Sequence, residues 1–128
     1  MINFVVVSHS KKLAQAAIEL ASIMKNSDFK IVNAAGLIDD EGFGTDVQKI
    51  IDSINSVNNG DGVLVFCEIG SSLMSSQMAV EMINDKKVIL VDAPFVESLM
   101  VATATNNENT ALSDLLKETL LTKTFSKQ

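Results

Sequence analysis

The chain has 128 residues, 47% of them apolar and 20% charged, with a net charge of −6, one histidine, one cysteine and neither tryptophan nor tyrosine. That length and composition suit a single globular domain, 1–128, with a real hydrophobic core, and they exclude a disordered chain. The acidic balance, with a pI near 4.6, argues against nucleic acid or an anionic membrane as a partner, and no apolar stretch reaches the roughly 20 residues of a membrane span.

The first strand is expected over about Ile2–Val7, a β-branched run that ends in Ser8-His9-Ser10-Lys11-Lys12. Leu13, Ala16, Ala17, Leu20 and Met24 then recur at helical spacing, so a helix covers about Ser10–Met24. A second strand reads as Phe29–Ala34, followed by a long glycine-punctuated loop from Ala35 to Gly44, a length that is often functional. Thr45 to Gln48 matches a capping box for a second helix faced by Val47, Ile50, Ile51 and Ile54. Val63–Cys67 is continuously apolar, as expected of a parallel strand covered on both sides, and Cys67 reads as a buried, inert thiol in a reducing cytoplasm.

After Glu68-Ile69-Gly70-Ser71-Ser72 a third helix carries Met74, Met78 and Met82 in one stripe, more often the pattern of core packing, though methionines also suit a surface that accommodates more than one partner. Lys87–Val91 is the fourth strand, and Asp92-Ala93-Pro94 turns the chain into a helix with Val96, Leu99, Met100 and Val101. A last amphipathic helix carries Leu112, Leu115, Leu116 and Leu120. The apolar residues of these last two helices exceed what a small sheet needs, which points to a two-fold interface. The start lacks a basic n-region with a small-residue cleavage site, so no export signal is expected.

Strands alternating with helices give an α/β fold: a doubly wound, mainly parallel four-stranded sheet of order 2-1-3-4, with helices on both faces. In that order the connections after the first and third strands leave on opposite faces, opening a crevice where such sheets bind ligands. The topology thus brings His9 and the Glu68-to-Ser72 turn to one place. No G-x-G-x-x-G or G-x-x-x-x-G-K-[ST] loop and no Cys/His clustering is present, so no cofactor or metal is expected.

What remains is one imidazole, one carboxylate and a set of donors. Neutral imidazole is a good nucleophile near pH 7 and can take a phosphoryl group on one ring nitrogen. Glu68 could accept a hydrogen bond from the other nitrogen, fixing the tautomer and stabilising the developing positive charge. The first N–H groups of the helix after His9, with Ser8, Ser10, Gly70, Ser71 and Ser72, could cradle the phosphoryl oxygens. These serines have a duller use as helix caps, and Glu68 one as a solvated strand-end carboxylate. Lys11 and Lys12 could steer an acidic or phosphorylated partner. A binding module of flavodoxin-like fold without covalent chemistry is the competing class, and an ordinary hydrolase a weaker third.

Four stretches carry a resemblance: Val5 to Ser10; Ala35-Gly36 with Gly44-Thr45-Asp46; Gly62 to Ser72; and Val91 to Glu97. From Ile2 to about Thr105 the chain resembles the phosphotransferase subunits of dihydroxyacetone kinase, within the mannose-type EIIA family of the phosphotransferase system. The resemblance implies that His9 is the phosphorylated histidine and that the domain is a cytoplasmic homodimer. It also implies a phosphotransferase relay: a separate histidine phosphocarrier protein is the donor, and ADP on a nucleotide-binding kinase subunit the acceptor. A mannose-type sugar EIIA component is the alternative within the family. The family usually has aspartate at Glu68, alanine at Ser72 and glycine at Ser98, so the longer carboxylate reaches the ring differently.

Overall fold

Residues 1–38 and 42–128 are described in a computed structural model; Asp39, Asp40 and Glu41, at the middle of the long loop, lie outside the described residues. The elements run β1 (Asn3–Val7), α1 (Lys11–Ser22), β2 (Ile31–Asn33), α2 (Val47–Val57), β3 (Val63–Cys67), α3 (Ser71–Ile83), β4 (Val88–Leu90), α4 (Phe95–Thr105) and α5 (Leu112–Leu120), ending in a 3-10 turn at Leu121–Thr124. All strand pairs are parallel and the order is β2-β1-β3-β4, as the alternating pattern implied.

Both central strands are buried along their whole length because each face meets helices. Phe4, Val6, Leu64 and Phe66 point into the layer shared with α1, α4 and α5, whereas Val5, Val7, Val63 and Val65 point into the layer shared with α2 and α3. This is the period-two alternation of a strand carried out with apolar residues on both faces. Phe4 anchors the first layer, its ring 4.9 Å from Phe29 and 5.2 Å from Phe66, centre to centre. Truncating so buried a ring would cost about 3–5 kcal/mol. The register pairs Val7 with Cys67, so Ser8 and Glu68 leave the sheet side by side.

Several expectations need correcting. The second and fourth strands are shorter than read, because only three residues of each enter the ladder. Asp46, not Thr45, caps α2: its carboxylate accepts the Lys49 N–H at 3.1 Å, while Gln48 pairs with Asp52 at 2.8 Å. The methionine stripe is not core. Met74, Met78 and Met82 are exposed, and α3 packs through the small residues Ser72, Ser76 and Ala79. Of the apolar residues expected in excess on α4 and α5, Leu99 and Leu115 are fully buried, while Met100, Leu112, Leu116 and Leu120 pack on the same core and remain partly exposed.

Candidate functional site

The crevice forms where β1 and β3 end side by side and their chains turn to opposite faces, β1 into α1 and β3 into α3. His9 sits in the first turn with its side chain about a third exposed, and Glu68 opposite is 26% exposed. One oxygen of Glu68, Oε1, collects three donors. The His9 backbone N–H reaches it at 2.7 Å, His9 Nδ1 at 2.6 Å and the Ser8 hydroxyl at 2.8 Å. Desolvation pushes the Glu68 carboxyl up, but the bonds from the His9 backbone, its ring and Ser8 outweigh it, and the carboxyl is held below its usual range. It is therefore ionised near neutral pH and can only accept.

A carboxylate facing Nδ1 at hydrogen-bond distance holds a proton on Nδ1, which in the neutral ring puts the lone pair on Nε2. Nε2 points at the start of α3, where the Ser71 hydroxyl lies 2.6 Å away and donates to it. Gly70 forms the turn before α3 with a φ of +80°, which suits glycine. On the other side, Gly36 (φ +77°) lets the Lys11 side chain cross the loop, since a Cβ would come within 2.6 Å of Lys11 Cγ.

The serines divide by what their hydroxyls already do. Ser8 was read as a phosphate contact, but it is fully buried; its hydroxyl donates to Glu68 and accepts the Ser10 N–H at 3.1 Å. Ser72 is also fully buried, donating to the carbonyls of Glu68 and Ile69 at 2.7 and 3.2 Å, so it ties the turn rather than facing a ligand. Ser10 caps α1 by accepting the Leu13 N–H at 3.1 Å. Ser71 alone of the four lies against the nucleophilic nitrogen. The first turn of α3 also presents N–H groups that no side chain caps.

The long loop was not read as part of this site, yet both its ends are tied to it. The Gly36 N–H donates to the Ser8 carbonyl at 3.0 Å and the Gly44 N–H to the His9 carbonyl at 2.9 Å. Thr45 reaches α3, with its Oγ1 2.7 Å from Ser75 Oγ and 3.3 Å from the Ser71 carbonyl. The signal available in sequence is Gly44-Thr45-Asp46, one of the stretches that carry the family resemblance, whose Thr45 also opens the capping-box pattern Thr45 to Gln48. Three large apolar side chains, Phe43 (81%), Ile69 (84%) and Met74 (69%), stand exposed on segments bonded to the His9 turn or the start of α3. Lys12 is exposed and lines a surface pocket together with Phe43. Cys67, at the end of β3, is buried, and desolvation pushes its thiol up to about 11.

Comparison with known proteins bears on this arrangement. The EIIA-man family model, described as the phosphotransferase-system fructose IIA component, matches residues 3–116. The phosphoryl donor subunit of a PEP-dependent dihydroxyacetone kinase from Escherichia coli K12 is 43% identical over 108 residues, which make up 80% of this chain and 23% of that protein. A subunit described in the same terms from Listeria innocua is 31% identical and is matched over 92% of this chain and 96% of its own. The chain thus spans about a quarter of the length of the longer curated relatives and nearly all of the Listeria one. A crystal structure of a protein of unknown function superposes with a TM-score of 0.81 at 31% identity, covering 94% of this chain and 93% of that one.

Proposed function

The chain belongs to the EIIA-man family, and from that premise we propose that it is a phosphohistidine relay in which Nε2 of His9 carries the phosphoryl group. The donor is a histidine phosphocarrier protein, and the acceptor is ADP held on the nucleotide-binding subunit of a dihydroxyacetone kinase. The relatives that are phosphoryl donor subunits of such kinases support the acceptor. The observation that carries the chemistry is the 2.6 Å contact between Glu68 Oε1 and Nδ1, which leaves Nε2 unprotonated and facing the donor-rich start of α3.

The reaction runs in two displacements. The Nε2 lone pair attacks phosphorus as the Ser71 hydroxyl turns from Nε2 to a phosphoryl oxygen. The bond to the carrier's ring nitrogen breaks, and its electron pair returns to that ring. Positive charge grows on the His9 imidazole while Nδ1 keeps its proton, and the Glu68 carboxylate stabilises that charge. In the second step a β-phosphate oxygen of ADP attacks in line, the Nε2–phosphorus bond breaks, and neutral His9 returns. The crevice has no glycine-rich loop of its own for a nucleotide, so the acceptor subunit supplies it. Exposed Phe43, Ile69 and Met74 suit a face that protein partners cover in turn. The relay works in the cytoplasm as a homodimer, and among the described residues no helix is long and apolar enough to cross a membrane.

The test is transfer of label from the phosphorylated protein. ADP-loaded nucleotide-binding subunit should take it and form ATP, while free ADP barely reacts. Transfer to a sugar-permease component, with none to the ADP-loaded subunit, would place the protein in the sugar-transport branch instead.

A further inference from the structure

Ser10 caps α1 and Asp46 caps α2, each by accepting an N–H three residues on, whereas α3, like α4 and α5, has no side-chain cap; it begins at Gly70. A larger residue is disfavoured there by the positive φ. Ser72 ties the first turn of α3 from within, and Thr45 adds a tie from outside the helix, at Ser71. It is relieved of capping α2 by Asp46, and its hydroxyl is directed across to α3.

Thr45 Oγ1 lies 3.3 Å from the Ser71 carbonyl, to which it donates, and 2.7 Å from Ser75 Oγ, a contact in which either hydroxyl can be the donor. The preceding residue holds the other half of the site, since the Gly44 N–H donates to the His9 carbonyl at 2.9 Å. Thr45 itself is bridged to Gly36, whose N–H donates to the Ser8 carbonyl at 3.0 Å. Two consecutive residues, Gly44 and Thr45, therefore grip the two partners of the Nε2–Ser71 contact, one each.

We propose that Thr45 is a positioning residue for phosphoryl transfer, holding the start of α3 so that the Ser71 hydroxyl serves first Nε2 and then the phosphoryl oxygens. This rests on the relay reading of His9 and deepens it. Thr45 touches neither the phosphoryl group nor the ring; it acts through Ser71.

The test is Thr45→Val, which keeps the shape and removes the hydroxyl, with Thr45→Ser as the conservative rescue. Phosphorylation of His9 should slow about tenfold in maximal rate, the scale of a modest misplacement at a reacting centre, with the KM for the carrier unchanged. Phosphoramidate, a small donor that needs no protein docking, should show the same slowing. Thr45→Ser should restore the rate, and Thr45→Val combined with Ser71→Ala should be no slower than Ser71→Ala alone. Additive effects, a change confined to KM, or a wild-type rate in Thr45→Val would overturn the proposal. A second readout is independent of transfer. The 15N resonance of His9 Nε2 should move in Thr45→Val as its bond from Ser71 loosens, and an unmoved resonance would refute the positioning role. A wild type that takes no phosphate would count against the relay alone.

Discussion

Replacing Glu68 by Gln keeps the size of the side chain and can keep all three hydrogen bonds to its oxygen, so what it removes is the charge. A unit positive charge on the ring and the carboxylate stand about 4 Å apart, charge centre to charge centre. At an effective dielectric of about 20 they attract by about 4 kcal/mol. Roughly half of the ring charge has developed in the transition state, which leaves about 2 kcal/mol. Glu68 is a quarter exposed, and water screens part of that. Phosphorylation of Glu68→Gln should therefore slow by about ten- to a hundredfold. Rapid-quench measurement with labelled phosphocarrier reads this directly, and repeating it with phosphoramidate separates chemistry from docking. Glu68→Asp, which keeps the charge and restores the usual family residue, should be tolerated. Equal rates for the wild type and the Gln variant would refute the role of the carboxylate and reduce it to a structural acceptor.

The same carboxylate gives a pH dependence of stability. Its folded pKa lies below the ordinary 4.5, so its ionised form stabilises the fold above that pH, and this is lost as pH falls through the lower folded value. Urea midpoints of wild type and Glu68→Gln should thus converge in acid and differ near neutrality; a constant difference would contradict the hydrogen-bonded carboxylate. Burial and a thiol pushed up to about 11 make Cys67 unreactive toward iodoacetamide at pH 8 until the chain unfolds, and rapid native alkylation would show that the end of β3 opens. Sedimentation at micromolar concentration should give twice the chain mass, and a monomer would remove the homodimer from the proposal.

The central sheet was legible because Val5-Val6-Val7 and Val63 to Cys67 are apolar without alternation, which only a strand covered on both faces tolerates. Their order then followed from right-handed crossovers, and with it the meeting of His9 and Glu68. The face of α3 was not legible. Helical spacing shows that Met74, Met78 and Met82 share one side, but Ser72, Ser76 and Ala79 share another about 130° away around the helix, and small residues let a helix sit close on the sheet. Size pulled the reading toward the methionines; proximity decided for the serines. Thr45 and Asp46 are equally able to cap, and only the position of α3 shows which of them is needed elsewhere. The division of labour among Ser8, Ser10, Ser71 and Ser72 was likewise beyond the sequence, because it depends on which hydroxyl the Glu68 oxygen captures.

The most direct measurement is the state of His9 after incubation with the general phosphotransferase components and phosphoenolpyruvate. Intact mass should show one acid-labile, base-stable phosphoryl group per chain, absent from His9→Ala. Long-range 15N correlation spectra should place the phosphorus on Nε2, with Nδ1 still protonated against Glu68. Phosphate retained by the alanine variant, or found on Nδ1, would contradict the assignment.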